Sequence, residues 1–289
     1  MNRPPLIAFS ALIAGACFAG ASTLFVRLSE LGPIGSAFQR VFLAIPFLWL
    51  WVSWERKKLE NQSILPKRAD LIIITLAGIF FAGDLFFWHL AIINTSVANA
   101  TILATLAPIY VVFGMFILFK EIPKPKFLLG LCFSLFGVFI LIGESFIFDR
   151  KTLSGNIYGV ITGVFFASYI IAIGRVRSRM STANVMFLST LITSIILLPL
   201  AVYIEGNIFA KDLNGWIILL ALSILSHVGG QGLIAYALAY LPASFSSVTL
   251  ILEVLTASIL GWLFLAEALG LAQWVGGGVI IFGIFLARK

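Results

Sequence analysis

Three ionisable residues stand inside long apolar runs: Arg40, Asp84 and Glu253. A charge at the centre of a membrane helix costs about 2.5–3.5 kcal/mol on insertion scales, so each of the three calls for an explanation. Asp84 falls about nine residues from the end of its run and Arg40 about six from the end of the preceding one. At 1.5 Å per residue these are depths of roughly 13 and 9 Å. Similar depths let the two form an ion pair that locks neighbouring helices. The functional alternative makes Asp84 a counter-charge for a substrate amine, or a proton carrier. Glu253 falls about nine residues into its run, near mid-bilayer by the rise per residue, with Thr249 and Thr256 about one turn to either side. Its two readings are a tie to a neighbouring backbone and direct handling of substrate or protons.

Polar and aromatic residues in the same runs supply the rest of a candidate pocket. Trp88 follows Asp84 by one helical turn and shares its face; His227 and Gln231 share another, as do Tyr236 and Tyr240. Asp84, Trp88, His227, Gln231 and Glu253 combine aromatic walls with a few polar groups, as small-molecule sites do. Tyr169 is a further candidate on the same argument. Each has a plainer alternative: tryptophan and tyrosine populate membrane interfaces, and a histidine can simply bond a backbone carbonyl. Cys17 and Cys132 have neither metal-site nor disulfide spacing. With His89 and His227 as the two histidines, no nucleophile–base pair is evident, and no nucleotide-binding loop is present. No metal and no cofactor are expected, and an enzyme is not.

The elements that must position these residues follow from composition. The chain has 289 residues, 61% hydrophobic and 11% charged, with mean hydropathy +1.10. Soluble domains run about 45–50% apolar and about 25% charged. Ten apolar segments fit, each near the ~20 residues a spanning helix needs: 6–26, 34–54, 71–93, 98–119, 127–146, 157–174, 185–204, 216–240, 245–266 and 272–287. The expectation is an all-α integral membrane protein of ten transmembrane helices, with no chain left for a soluble catalytic domain. The first segment is long for a signal peptide and is expected to be retained. Trp51, Trp54, Trp216 and Trp274, near predicted helix ends, fit an interfacial aromatic belt.

The net charge of +7 lies between the apolar runs, where it sets orientation rather than attracting nucleic acid. With a cytoplasmic N-terminus, fourteen Lys and Arg fall inside, among them Arg56, Lys57, Lys67, Lys124, Arg175, Arg179 and Lys289. Four fall outside: Arg27, Arg150, Lys151 and Lys211. Both termini are therefore expected in the cytoplasm.

An internal repeat carries the most specific information. Glu121, Gly130, Phe136, Gly137 and Phe139 recur at identical spacing, 146 residues later, as Glu267, Gly276, Phe282, Gly283 and Phe285. The chain is thus read as two five-helix repeats, 6–146 and 155–287. An odd number of spans per repeat inverts the second half relative to the first, the arrangement that supports alternating access in transporters. Glu121 and Glu267, with glycines 130, 137, 276 and 283, are read as structural anchors of the repeat.

These paired repeats, each with a glutamate followed by a Gly-Phe-rich last helix, resemble the EamA family of the drug/metabolite transporter (DMT) superfamily. The resemblance spans about residues 6–287 and extends to Arg40, Pro108 and the run Leu252-Glu253 through Gly261-Trp262 to Glu267. Many relatives carry proline after that glutamate of the ninth helix, where this chain has Val254, so no proline imposes a kink there. The resemblance implies a ten-helix carrier of small metabolites, often an exporter of amino acids or related compounds. The expected function is a secondary transporter in the inner membrane, with amino acids as first-choice cargo and cationic drugs second. An intramembrane enzyme and a non-transporting sensor are the alternatives from other classes. Expected partners are a small-molecule substrate, the lipid bilayer and a second copy in a homodimer, with no nucleic acid.

Overall fold

The computed structural model describes residues 3–58, 67–143, 149 and 152–288. Arg150, Lys151 and Lys289 of the charge count, and residues 144–146 at the end of the first repeat, lie outside the described residues. Within them every regular element is helical. The first half holds α1 (Arg3–Gly20), α2 (Ser22–Leu28), α3 (Pro33–Phe42), α4 (Ala44–Lys58), α5 (Arg68–Asn94), α6 (Val97–Ala104), α7 (Ala107–Phe119) and α8 (Pro125–Ile142). The second holds α9 (Leu153–Arg177), α10 (Thr182–Glu205), α11 (Leu213–Ala221), a π-helix (Leu222–Gln231), α12 (Gly232–Ala237), α13 (Ala243–Thr249), α14 (Leu252–Leu265) and α15 (Leu271–Ala287).

Read as continuous stretches, nine of these helices are long and apolar enough to cross a membrane, while Leu271–Ala287 is a shorter apolar helix. Phe113, Ile117, Leu118 and Phe264 are each more than 60% exposed. Large apolar side chains on the exterior match a hydrocarbon solvent, in which exposing them carries no hydrophobic penalty.

Four spans carry interruptions, and proline explains two of them. A proline lacks the N–H that would bond the carbonyl four residues back, and its ring crowds that carbonyl. Pro46 thereby ends α3 at Phe42, and Pro108 ends α6 at Ala104. The break between α13 and α14 comes without one. Val254 stands 146 residues after Pro108, yet the chain still turns through Leu250 and Ile251 on short i→i−3 bonds, Glu253 N–H to Leu250 O at 2.9 Å and Val254 N–H to Ile251 O at 3.1 Å. Both copies of the repeat are therefore broken near this place, the second without a proline. The fourth interruption, between α1 and α2 at Gly20 and Ala21, has no proline near it.

The repeat extends to local structure. Lys120 and Ala266, 146 residues apart, are the non-glycine residues with positive φ among the described residues, at 58° and 56°. Each ends its helix in the left-handed conformation. The next residue, the repeated glutamate, then donates its N–H to the same relative carbonyl: Glu121 to Met115 at 3.4 Å, Glu267 to Gly261 at 3.3 Å. Each bond reaches back six residues, so both helices close with the same wide turn. α8 and α15 begin 146 residues apart as well.

Two compact units are present, and each draws on both halves of the sequence. Unit 1 comprises 1–82 and 172–241; unit 2 comprises 83–171 and 242–289.

Unit 2 is centred on α8 against α15. A Cβ on Gly130 would lie 2.6 Å from the Gly283 carbonyl, and one on Gly283 would lie 2.7 Å from the Gly130 carbonyl. Gly137 and Gly276 have the same reciprocal relation at 2.8 Å in each direction. Ascending numbers on one helix thus meet descending numbers on the other, so the pair is antiparallel, and exchanging the two helices maps each contact onto the other. Only glycine permits this backbone approach. The repeated phenylalanines face away: Phe136, Phe139, Phe282 and Phe285 are all more than half exposed.

Unit 1 packs α1 against the π-helix and α12, and α10 against α3 and α4. Gly15 and Gly230 let α1 and the π-helix meet: a Cβ on Gly15 would lie 3.0 Å from the Gly230 carbonyl, and one on Gly230 2.8 Å from the Ala19 nitrogen. Two carboxylates tie its loops. Glu205, at the end of α10, accepts from the N–H groups of Ile34 and Gly35 at 2.7 and 2.8 Å, a negative charge on the positive end of α3. Glu30 accepts from the Lys211 N–H at 2.8 Å.

Candidate functional site

The sequence-derived candidates divide between the units. Arg40, His227 and Gln231 belong to unit 1; Asp84, Trp88, Tyr169 and Glu253 belong to unit 2.

In unit 1, Arg40 and His227 are 8% and 1% exposed and share a neighbour in Phe81. The Arg40 guanidinium carbon lies 5.9 Å from the Phe81 ring centroid, and the Phe81 and His227 ring centroids are 5.5 Å apart. His227 Nε2 is 2.8 Å from the Thr190 hydroxyl oxygen on α10. His227 and Gln231 sit in the π-helix, whose widened i→i+5 ladder is frequently found at functional sites. Four buried polar atoms of that one segment have no hydrogen-bond partner among the described residues: Ser223 Oγ, Ser226 Oγ, His227 Nδ1 and Gln231 Oε1. Buried groups left this way cost about 1–3 kcal/mol each, and native structures tolerate few of them. Sequence reading found His227 and Gln231 but missed Ser223, Ser226 and Thr190, because serine and threonine in apolar helices usually return their hydroxyl to the preceding turn. Ser168, Ser189 and Ser258 do so here.

In unit 2, Asp84 and Trp88 are half-buried on α5. An aromatic group stands on the same stretch of helix: Phe87 stacks on Phe165 at 5.4 Å and lies 6.0 Å from Tyr158. Tyr169, on α9, is 2% exposed and stacks on Phe166. Glu253 is placed differently from the sequence expectation of a mid-helix residue: the break before α14 puts it in that helix's first turn, where the N–H dipoles favour a carboxylate. The plain reading of a histidine is realised in His89, whose Nδ1 meets the Leu85 carbonyl one turn back.

Polar contacts at the ends of unit 1 also escaped sequence reading. Arg177 and Arg179 count there only as loop charge. Arg177 is buried and donates to the carbonyls of Ala235, at 2.9 Å, and Met180. Arg179 pairs with Asp70 at 3.0 Å. Glu205 could have been found from its place at the end of an apolar run, opposite the Gly32-Pro33 helix start.

A multi-helix membrane fold with unsatisfied polar groups inside its spans fits a carrier, and comparison with known proteins decides the family. The model of the EamA-like transporter family matches residues 6–143 and again 153–288. The chain belongs to that family. Among its relatives, an uncharacterised transporter of Archaeoglobus fulgidus is 26% identical over 271 residues, 92% of this chain and 91% of that one. The pseudopaline exporter CntI of Pseudomonas aeruginosa is 26% identical over 224 residues, 77% of this chain and 76% of that one. A crystal structure with 20% sequence identity superposes at a TM-score of 0.78, covering 99% of this chain and 98% of that chain, and shows the shared fold. This EamA-like chain is a multi-pass membrane transporter and not an enzyme.

Proposed function

We propose that the chain is a secondary transporter of the inner membrane that exports or exchanges small amphipathic metabolites, amino acids first, by alternating access between inverted five-helix halves. The observation that carries this reading is the two-fold relation of α8 and α15. Helices from equivalent places in the two repeats run antiparallel, and their glycines meet reciprocally. Inverted repeats give a carrier two pseudo-equivalent states without a separate hinge domain. The pseudopaline exporters among its relatives support export as the direction.

In this reading Asp84, Trp88, Tyr169, His227, Gln231 and Glu253 contact substrate. Asp84 and Glu253 are the candidates for a coupling proton, and Arg40 is the candidate ion-pair partner of Asp84. The ten-span topology with both termini in the cytoplasm, and a homodimer, belong to the same proposal. The test is uptake of labelled amino acids into proteoliposomes with and without a proton gradient, with Asp84→Asn and Glu253→Gln alongside. Gradient-dependent flux abolished in one folded variant identifies the proton site. Flux indifferent to the gradient means exchange or facilitation and removes proton coupling. The absence of flux for every amino acid overturns the cargo assignment.

A further inference from the structure

The π-helix of unit 1 concentrates polarity that the fold does not use. Ser223, Ser226, His227 and Gln231 are at most 3% exposed, and each carries an atom without a hydrogen-bond partner. An i→i+5 ladder sets residues four and five apart near one another along the helix, as Ser223 and His227, His227 and Gln231, and Ser226 and Gln231 are. The four therefore make a polar patch along one short segment.

The chemistry of the patch follows from its protons. The bond to His227 Nε2 at 2.8 Å is the hydrogen bond found for the Thr190 hydroxyl. Its proton is used only if the hydroxyl donates to Nε2. That fixes the neutral imidazole with its hydrogen on Nδ1, since the two nitrogens of a neutral ring divide into one donor and one acceptor. The patch then presents three donors, Nδ1–H and the hydroxyls of Ser223 and Ser226, beside one acceptor, Gln231 Oε1. Three buried donors against one acceptor in a low-dielectric setting favour an anionic oxygen ligand, because charge-assisted hydrogen bonds are about twice as strong as neutral ones.

We infer that the π-helix is the carboxylate-recognition element of the transported molecule: Ser223, Ser226 and His227 Nδ1–H bind a carboxylate, and Thr190 is a positioning residue that holds the His227 tautomer. This rests on the proposed transport function and narrows its substrate class to carboxylate-bearing metabolites.

Three probes separate the functional groups on one scaffold: 3-phenylpropionate with only the carboxylate, phenethylamine with only the amine, and L-phenylalanine with both. Binding is measured on the full-length protein in nanodiscs. Ser223→Ala/Ser226→Ala is expected to weaken 3-phenylpropionate on the order of a hundredfold, the effect of two lost hydrogen bonds to a charged group, and to leave phenethylamine unchanged. Thr190→Val is expected to weaken the carboxylate probe about fivefold, since about one hydrogen bond of orientation is lost, and Thr190→Ser to restore it. Ser189→Ala, which removes a hydroxyl already bonded to its own helix, serves as the control and leaves binding unchanged. Either serine variant alone gives the same readout if the double variant does not fold.

Failure of 3-phenylpropionate to bind the wild type, or equal binding to wild type and serine variants, overturns the inference and leaves the patch to internal water. The two proposals fail separately. Serine-dependent carboxylate binding without amino-acid flux defeats the amino-acid cargo and keeps the site. Flux with an unchanged KM in the serine variants defeats the site and keeps the transporter.

Discussion

Glu205 shows how much one carboxylate holds in this protein. It accepts from two backbone N–H groups at the start of α3, at 2.7 and 2.8 Å, and Gly32 and Gly35 leave it the room: a Cβ on either would fall within about 2.6 Å of its carboxylate oxygens. Hydrogen bonds to charged groups contribute about 1.5–3 kcal/mol. Glu205→Ala is expected to destabilise the protein by about 3 kcal/mol, since two such bonds are lost with partial compensation by water. Glu205→Gln keeps one acceptor oxygen and recovers roughly half of that loss. Thermal unfolding in detergent reads both; equal behaviour of Ala and Gln would deny the bonds their role. At the same scale, Ala266 and Lys120 hold left-handed backbone at 56° and 58°, which costs an L-residue roughly 1–2 kcal/mol. Ala266→Gly is expected to stabilise by about 1 kcal/mol after the entropic cost of glycine. Lys120→Gly gains less, because the Lys120 ammonium lies 5.7 Å from the Phe116 ring centroid and that contact is forfeited.

Among the elements, α8 and α15 are a pair whose spacing is set by backbone rather than side chains. Gly137→Ala would bring a methyl to 2.7 Å from the Ile280 nitrogen, and Gly276→Ala one to 2.7 Å from the Leu141 nitrogen. Backbone cannot rotate away as a side chain can, so each substitution forces the helices apart at a cost of about 1–3 kcal/mol. The two-fold relation makes a sharper claim: the two substitutions lower the melting temperature by similar amounts. A large inequality between them would show that the pair is not energetically symmetric. Interruptions belong to this scale too. Pro108 carries a local signal for the break before α7, whereas Val254 carries none for the break at Leu250 and Ile251. The bonds that shape this turn, Glu253 to Leu250 and Val254 to Ile251, appear only when the chain is folded. Glu253 accordingly moved from an expected mid-helix position to the first turn of α14.

For the whole molecule, orientation is the property that charge distribution predicts most directly. Single cysteines at Lys124 and Lys211, in a chain with Cys17 and Cys132 replaced by serine, place the two ends of the spans. A membrane-impermeant maleimide on intact cells is expected to label Lys211→Cys and to spare Lys124→Cys until the cells are opened. The reverse pattern would invert the topology.

Sequence alone determined the properties that depend on composition and spacing along the chain. Apolar runs of span length fix a helical membrane protein, since lipid offers backbone groups no partner outside a helix. The repeat of 146 residues fixes two related halves, and the polar residues within spans mark where to look for a site. Tertiary structure decided what depends on which distant surfaces meet. It paired Gly130 with Gly283 and Gly137 with Gly276, set Glu205 on the start of α3, and buried Arg177 among carbonyls rather than in a loop. It also left Ser223 and Ser226 without the return bond that serines in apolar helices normally make. No local pattern could have separated those two from Ser189, because a hydroxyl's partner is chosen by the helix geometry and neighbours around it, and residues 222–231 wind as a π-helix while Ser189 sits in an α-helix.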